Sequence, residues 1–161
     1  MRGGNVCEYC GCQALEPIGE LTREHELVLS LVCGVREARD EGDKPRMAEL
    51  AARIAAILDP HTEVEERGLF PPLAGDFPDQ IAILEAEHQQ IAAVLAESSP
   101  GPPEDPAWPD RLAAALALLR DHIHKEQDGV FPAALASLHT ADWEAMEKIR
   151  ARVGSLLPSP A

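Results

Sequence analysis

The chain has 161 residues, of which 45% are hydrophobic and only 4% aromatic, and its formal net charge is −14 at pH 7. This length fits one domain with a single packed core, and the negative charge disfavours nucleic acid or anionic lipid as a partner because both are polyanions. No apolar run approaches the roughly 18 residues of a membrane-spanning helix and no signal-peptide pattern is present, so we expect a cytoplasmic protein with no membrane partner.

The first segment, residues 1–17, is rich in glycine and cysteine, has little periodicity, and is predicted to be a tail. It contains three of the four cysteines, Cys7, Cys10 and Cys12. In a reducing compartment, clustered thiols bind a soft metal or form a redox-active disulfide more often than a structural one. An extra metal or a disulfide is therefore expected there, with incidental thiols as the alternative. The fourth thiol, Cys33, is expected to be a small core residue of the first helix.

Apolar residues then recur at helical spacing in four segments of about 20 residues each. These predicted helices cover about residues 18–41, 45–70, 78–97 and 110–131. Pro60 falls inside the second helix and either breaks or kinks it. A kink is favoured, because His61 follows Ile57 by four residues and so stays on the inward face. The Phe-Pro sequences at 70–71 and 131–132 are expected to end the second and fourth helices.

A further amphipathic helix is predicted from about residue 140 to residue 156, packed outside the other four and without a candidate ligand of its own. Four helices of about 30 Å with short connections suit an antiparallel bundle. The sequence therefore predicts an all-α fold. It has an N-terminal tail (1–17), an antiparallel four-helix bundle (18–135), and an additional C-terminal helix with a tail (136–161).

The sequence contains an internal repeat. The motif His-x3-Glu-x2-Gly-x-Phe-Pro begins at His61 and again at His122, which is 61 positions later (122 − 61). Residues four apart on a helix face the same way, so each copy presents one imidazole and one carboxylate on one face. A Glu-His pair lies upstream of each copy, at 24–25 and at 87–88. The chain thus offers two half-sites, each containing two His and one Glu.

Four helices that each place one His in the apolar stripe predict a metal site. Buried carboxylates are costly unless they are paired or bind a cation. Two metals bridged by two glutamates would use every candidate ligand: His25 and His61 on one metal, His88 and His122 on the other, and Glu65 and Glu126 between them. Mixed imidazole and carboxylate ligation with open positions suits iron, with manganese or zinc as alternatives.

The neighbours of these six residues are assigned by helical direction. His124 lies two residues after His122, about 200° around the helix, and is expected to be exposed, as is His139. Glu24 and Glu87 each precede a candidate ligand and are candidates for orienting an imidazole. The expected apolar lining of the pocket consists of Phe70 and Phe131 at its ends, together with Leu29, Leu84 and Leu119.

The order His, His-x3-Glu, His, His-x3-Glu over four helices, with Phe-Pro after each His-x3-Glu, resembles the hemerythrin-like (HHE cation-binding) family. The closest likeness is to its bacterial single-domain members with a Cys-rich N-terminal tail. The resemblance covers about residues 18–135. It implies a non-haem di-iron centre, with two iron ions joined by an oxo or hydroxo bridge, that binds dioxygen, nitric oxide or peroxide. The ligands that it implies are His25, His61, Glu65, His88, His122 and Glu126.

One position departs from the oxygen-carrying members of that family. Invertebrate hemerythrins have a second His one turn after the third-helix His, whereas here the residue four after His88 is Ala92. Six protein ligands leave two coordination positions open instead of one. This favours a more reactive centre over stable oxygen carriage.

Three functions follow as expectations. The first is a binding protein that takes up a small diatomic ligand for sensing, buffering or stress protection. The second is an oxidase, a peroxidase-like enzyme or a nitric-oxide-reducing enzyme with an unknown electron donor. The third is iron storage or delivery. The sequence leaves open whether the chain is an enzyme.

Overall fold

The computed structural model describes residues 12–158, with side chains from Glu16 onward. Within this range the chain is helical and has no strand. Its helices are α1 (Cys12–Asp40), α2 (Lys44–Val64), α3 (Pro78–Ala96), α4 (Trp108–Lys125), α5 (Phe131–Ser137) and α6 (Thr140–Val153). Two π-helical turns, Glu65–Leu69 and Glu126–Val130, directly follow α2 and α4.

The first four long helices form a closed bundle. α1 packs along α2 and α3 along α4, and contacts between α2 and α3 and between α1 and α4 close the ring. α6 packs against α1, α2 and the first π-helical turn. The predicted all-α fold, an antiparallel four-helix bundle with an additional C-terminal helix, is confirmed. Among the described helices, none is both long and apolar enough to cross a bilayer.

Local sequence signals fix where the helices begin. Asp43 caps α2, because its carboxylate accepts a hydrogen bond from the backbone N–H of Arg46 at 3.1 Å. Gly42, just before it, has a φ of +71°, which glycine adopts without strain and which turns the chain between α1 and α2. α3 and α4 have Pro78 and Pro109 in their first turns, where a missing N–H costs nothing.

Two helices contain an internal proline, Pro17 in α1 and Pro60 in α2. α1 starts at Cys12, not near residue 18, and contains Pro17 close to its N-terminal end. α2 continues through Pro60 to Val64, so the break at Pro60, which was the less favoured alternative, does not occur.

The predicted end of the fourth helix at Phe131-Pro132 is wrong, since helix α5 continues to Ser137. The backbone N–H of Phe131 donates to the carbonyl of Glu126, five residues back, which widens the turn. Pro132 then lies in the first turn of α5, where its missing N–H removes no bond. The first copy does end as predicted, because Pro71 and Pro72 follow Phe70 and the chain enters a series of turns.

Two apolar clusters form the core, and the candidate ligands lie between them. On α1, Leu21 belongs to one cluster and Val28 to the other, with His25 in between. A candidate His also lies between the two clusters on α2, where the clusters follow in the reverse order along the chain, and on α3. Polar side chains therefore form a layer across the bundle that is sealed by apolar residues on both sides.

Candidate metal centre

The six predicted ligand residues converge at one place in the bundle interior. They come from α1 (His25), α2 (His61), α3 (His88), α4 (His122) and the first residue of each π-helical turn (Glu65 and Glu126). Two groups of possible ligand atoms form there: His25, His61, Glu65 and Glu126 in one, and Glu65, His88, His122 and Glu126 in the other. Within each group the ligand atoms all lie within 4.8 Å of one another. Both glutamates belong to both groups, as a bridging pair requires, and the role of the six as ligands remains a prediction.

Each glutamate is placed by the π-helical turn that it begins. The carbonyl of Glu65 accepts a hydrogen bond from the backbone N–H of Phe70 at 2.8 Å, and Glu126 and Phe131 make the equivalent bond. Proline follows both phenylalanines and has no N–H to donate, so a normal α-helical ladder would lose a bond there. π-Helical turns of this kind occur frequently at functional sites.

Two imidazoles are oriented by the glutamate that precedes a neighbouring His. Nδ1 of His61 lies 3.1 Å from Oε1 of Glu24, and Nδ1 of His122 lies 2.9 Å from Oε1 of Glu87. Nδ1 donates to the carboxylate in each pair, which leaves Nε2 as the free nitrogen. Glu24 and Glu87 thus have the orienting position that the sequence predicted for them.

The other two imidazoles are oriented by the residue that follows a candidate glutamate ligand. Nδ1 of His88 lies 2.9 Å from Oε1 of Glu66, and Nδ1 of His25 lies 3.2 Å from Oε1 of Gln127. These contacts connect the halves, because Glu66 belongs to the first motif and His88 to the second half, and the reverse holds for Gln127 and His25. All four Nε2 atoms consequently point into the centre of the bundle.

Each orienting glutamate, Glu24 and Glu87, is itself paired with a cation. Arg150 of α6 contacts both carboxylate oxygens of Glu24, at 2.6 and 3.0 Å, and reaches Glu20 at 3.0 Å. Behind Glu87, the cation is Lys125. Sequence reasoning missed Arg150, although its position carried a signal. It lies four residues after Met146 on the buried face of α6, where an apolar residue would be expected.

The two motif phenylalanines cover imidazoles of the opposite half. Phe70 stacks on His88 with ring centroids 5.8 Å apart, and Phe131 stacks on His25 at 5.5 Å. Both phenylalanines are almost fully buried. They exclude water from one side of the site, as predicted for the ends of the pocket.

The electrostatics of the buried groups favour a cation. Burial raises the pKa of Glu65, but the charge of His61 holds it well below its usual range. Burial and the negative charge of Glu65 raise the pKa of Glu126 well above its usual range. Without a cation, one carboxyl of the pair therefore keeps its proton. A divalent ion between them would replace that proton and let both ionise.

The donor set fits a pair of metal ions. Among the candidate ligands, the buried atoms without a hydrogen-bond partner are His25 Nε2, His122 Nε2 and all four carboxylate oxygens of Glu65 and Glu126. Each such atom costs about 1–3 kcal/mol if it stays unpaired. Oε1 of Glu126 lies 3.3 Å from His25 Nε2 and 3.1 Å from His122 Nε2. Two ligands about 2.1 Å from one cation and at right angles are about 3.0 Å apart, so these separations match neighbouring ligands of a shared ion.

A cavity of about 280 Å³ contains the site, since all six candidate ligands line it, and it extends between α2 and α3. Ala92 lines it, together with Ile91, Leu95 and Leu119. Leu119 was predicted to line the pocket, but Leu29 packs into one apolar cluster and Leu84 into the other. Exposed residues, including Asp59 and Ala92, form part of the lining, so the cavity reaches the surface.

The remaining sequence predictions concern two histidines and the cysteines. His124 and His139 are exposed, as predicted. Cys33 is also exposed, so the prediction of a core residue is wrong. It lies eight residues after His25, which at about 100° per residue turns it about 80° away from that inward direction. Cys7 and Cys10 lie outside the described residues, and so does the side chain of Cys12, so the predicted thiol site remains a prediction.

The fold and the buried cluster together define an all-α bundle protein with a site that can hold metal ions through imidazole and carboxylate groups. The model of the hemerythrin HHE cation binding domain matches residues 16–134. The chain belongs to this family, and the resemblance found in the sequence is confirmed.

One curated relative is similar over most of the chain. It is a protein named DNA nickase from Nostoc sp. (strain PCC 7120), 25% identical over 127 residues. The match covers 73% of this chain and 36% of that protein, so the chain spans about a third of the relative's length. No solved structure is significantly similar to the chain.

Proposed function

We propose that the chain is a non-haem di-iron protein that binds dioxygen or a related small molecule, nitric oxide or peroxide, for sensing, buffering or stress protection. The observation that carries this proposal is the convergence of four imidazoles and two carboxylates, whose ligand atoms lie within 4.8 Å of one another in each group. His25 and His61 would hold one ion, His88 and His122 the other, and Glu65 and Glu126 would bridge them. Iron held by such ligands supplies redox binding of small oxygen and nitrogen species.

The chain's own residues support a small ligand at this site. Ala92 occupies the position where a seventh protein ligand would project, so its methyl group leaves room beside His88. The cavity of about 280 Å³ that the candidate ligands line gives a small molecule access from the surface. Phe70 and Phe131 shield the imidazoles of His88 and His25 from water. A site that is open on one side and dry on the other suits a neutral diatomic.

Metal content and the visible spectrum of the purified protein test the proposal. We expect two irons per chain and charge-transfer bands in the near ultraviolet. Glu65→Ala and Glu126→Ala should each lose at least one metal, because each carboxylate would contribute to both ion sites. His124→Ala is the matched control, since His124 is exposed and should leave both metals bound. One zinc per chain without colour would contradict the proposal.

A redox enzyme built on the same centre is the second candidate function. Beside the candidate ligands, the cavity lining includes the polar residues Asp59, Thr62 and Glu63, which an enzyme would use to bind or protonate a substrate. Adding dioxygen to the reduced protein separates the two candidates. A stable adduct that releases its ligand under vacuum supports binding. Continuous consumption of dioxygen or nitric oxide with an added reductant supports an oxidase or a nitric-oxide-reducing enzyme.

Nicking of DNA, the activity in the relative's name, is not part of this proposal. The match covers only 36% of that protein. A net charge of −14 also opposes contact with a phosphate backbone. We therefore propose that this chain has no nucleic acid partner.

A further inference from the structure

A second cavity, of about 440 Å³, forms an apolar groove between α3 and the second π-helical turn. Its walls include Ile83, Leu84, Lys125, Gly129, Val130 and Ala133. Phe77, at one end of the groove, is 39% exposed, and Ile83 is 54% exposed. Large apolar side chains on the surface around a groove are typical of interaction sites.

The internal repeat relates this groove to a surface that α6 covers on the other half of the molecule. Gly129 corresponds to Gly68 (129 − 61), and Leu84 corresponds to Leu21 (84 − 63). A Cβ on Gly68 would lie 2.8 Å from Cγ of Met146, so α6 sits directly on that glycine. A Cβ on Gly129 would meet nothing within 4 Å. The groove is therefore the counterpart of the α6 docking surface, and no helix of residues 12–158 covers it.

The chemistry of the groove differs from that of the α6 surface at one point. On the α6 side, Arg150 is required because Glu20 and Glu24 both face it. On the groove side, the counterpart of Glu20 is Ile83 (83 − 63). The counterpart of Glu24 is Glu87, and its charge is already neutralised by Lys125. Lys125 takes the position equivalent to Val64. A helix in the groove would thus meet an apolar residue where α6 meets carboxylates.

We propose that the groove is the docking site for an amphipathic α-helix of a partner protein, with an unbroken apolar stripe where α6 has Arg150. Helices that lay an apolar face into a groove bind through side chains spaced three and four apart. α6 does so with Trp143 and Met146, which are both buried. The partner helix would use the same spacing and add an apolar side chain over Ile83.

The test uses the purified full chain and two labelled synthetic peptides. One peptide carries residues 139–156 unchanged, and the other carries the same residues with Arg150→Leu. By fluorescence anisotropy we expect the R150L peptide to bind at least about tenfold more tightly than the unchanged peptide, because only it matches the apolar wall. The preference should be the opposite at the α6 surface, where Leu would face Glu24. If the peptides instead displaced the chain's own α6, the unchanged peptide would bind more tightly than the R150L peptide. That result would contradict the proposal.

Chain variants locate the binding site. Ile83→Glu places a charge in the groove wall and should weaken R150L peptide binding at least about tenfold. Ala82→Glu is the matched control, since Ala82 is exposed on the same helix and is not part of the groove wall. Unchanged binding by the Ile83→Glu chain, or no saturable binding by the unmodified chain, would overturn the proposal.

A second copy of the chain is the other occupant that the experiment can reveal. If the unmodified chain is a dimer in sedimentation and Ile83→Glu makes it a monomer, the groove is a self-association surface and the partner-helix proposal is wrong. None of these measurements depends on bound metal. Their failure therefore leaves the di-iron proposal unaffected, and a metal-free preparation would leave the groove proposal unaffected.

Discussion

The two halves of the molecule build the same inner arrangement and surround it differently. In both halves a His-x3-Glu motif starts a π-helical turn, and a glutamate from the neighbouring helix orients the motif His. Outside this arrangement, the first half is covered by α6, while the second half borders an open groove. The candidate ligands are thus duplicated, while the outer surfaces of the two halves differ, and at the centre the halves differ in the pair Glu66 and Gln127.

The largest expected difference between the halves concerns Arg150 and Lys125, the cations that pair with the orienting glutamates. Arg150→Ala should lower the free energy of unfolding by about 3 kcal/mol, because it leaves the fully buried carboxylate of Glu24 without its cation. Lys125→Ala should cost less than about 1 kcal/mol, because Lys125 is 47% exposed. Urea denaturation of the two variants measures both values. Equal losses would mean that α6 adds no special stability to the first half.

The glycines of the two π-helical turns give a second matched pair. Gly68→Ala should cost about 1–3 kcal/mol of unfolding free energy, since the new methyl group would overlap Met146 and α6 would have to shift. Gly129→Ala should be neutral or stabilise by up to about 1 kcal/mol, because its methyl group has free space and alanine favours helix. Thermal unfolding of both variants checks the pair. A loss at Gly129 equal to that at Gly68 would show that the turn itself, and not α6, requires glycine.

The third comparison concerns Glu66 and Gln127, which orient His88 and His25. A carboxylate makes its imidazole a stronger ligand than an amide does. If the centre binds metal as proposed, Glu66→Gln should weaken the second half-site about tenfold, and Gln127→Glu should strengthen the first about tenfold. Stepwise removal of metal by a chelator measures each affinity. Identical release curves for the two reciprocal variants would show that the half-sites do not differ in this way.

The smallest effect is the proton linkage of metal binding. In the metal-free chain, burial lowers the pKa of His61, but Glu65 and Glu24 raise it to about 9 overall. Burial lowers the pKa of His25 to about 3. At pH 7, His61 therefore carries a proton that a metal must displace, and the raised pKa of Glu126 also favours a proton there. We expect metal binding to release protons and the affinity to rise with pH up to about 9.

Calorimetry in two buffers with different ionisation enthalpies counts these protons. A pH-independent affinity between pH 6 and pH 9 would contradict the raised pKa of His61. Glu24→Gln is the informative variant, because removing that negative charge should lower the pKa of His61 and reduce proton release at pH 8.

The fold and the position of the site were predictable because they follow from local patterns. Each candidate ligand occupies an apolar-stripe position, and the repeat shows which residues share a face. The sequence also predicted that Glu24 and Glu87 orient an imidazole, but not which one, since each contacts the His of the following helix and not the His that adjoins it in sequence.

Other features depend on contacts that spacing alone does not reveal. Whether Pro132 ends a helix depends on the wider turn that precedes it, and whether Gln127 orients an imidazole depends on how α4 lies against α1. Arg150 reaches Glu24 across 126 positions of sequence. A side chain in such a contact is placed by packing between helices, so the amphipathic pattern of α6 predicted a buried face but not its charged partner.

The crossed contacts of the two motifs have a further consequence. Glu66 of the first motif holds His88 of the second half, Gln127 of the second holds His25 of the first, and each phenylalanine stacks on the opposite half. Reciprocal contacts of this kind are what a two-fold symmetric homodimer makes at its interface. The chain thus has the architecture of two subunits fused end to end, and a segment containing α1 and α2 alone would lack the groups that complete its own half-site.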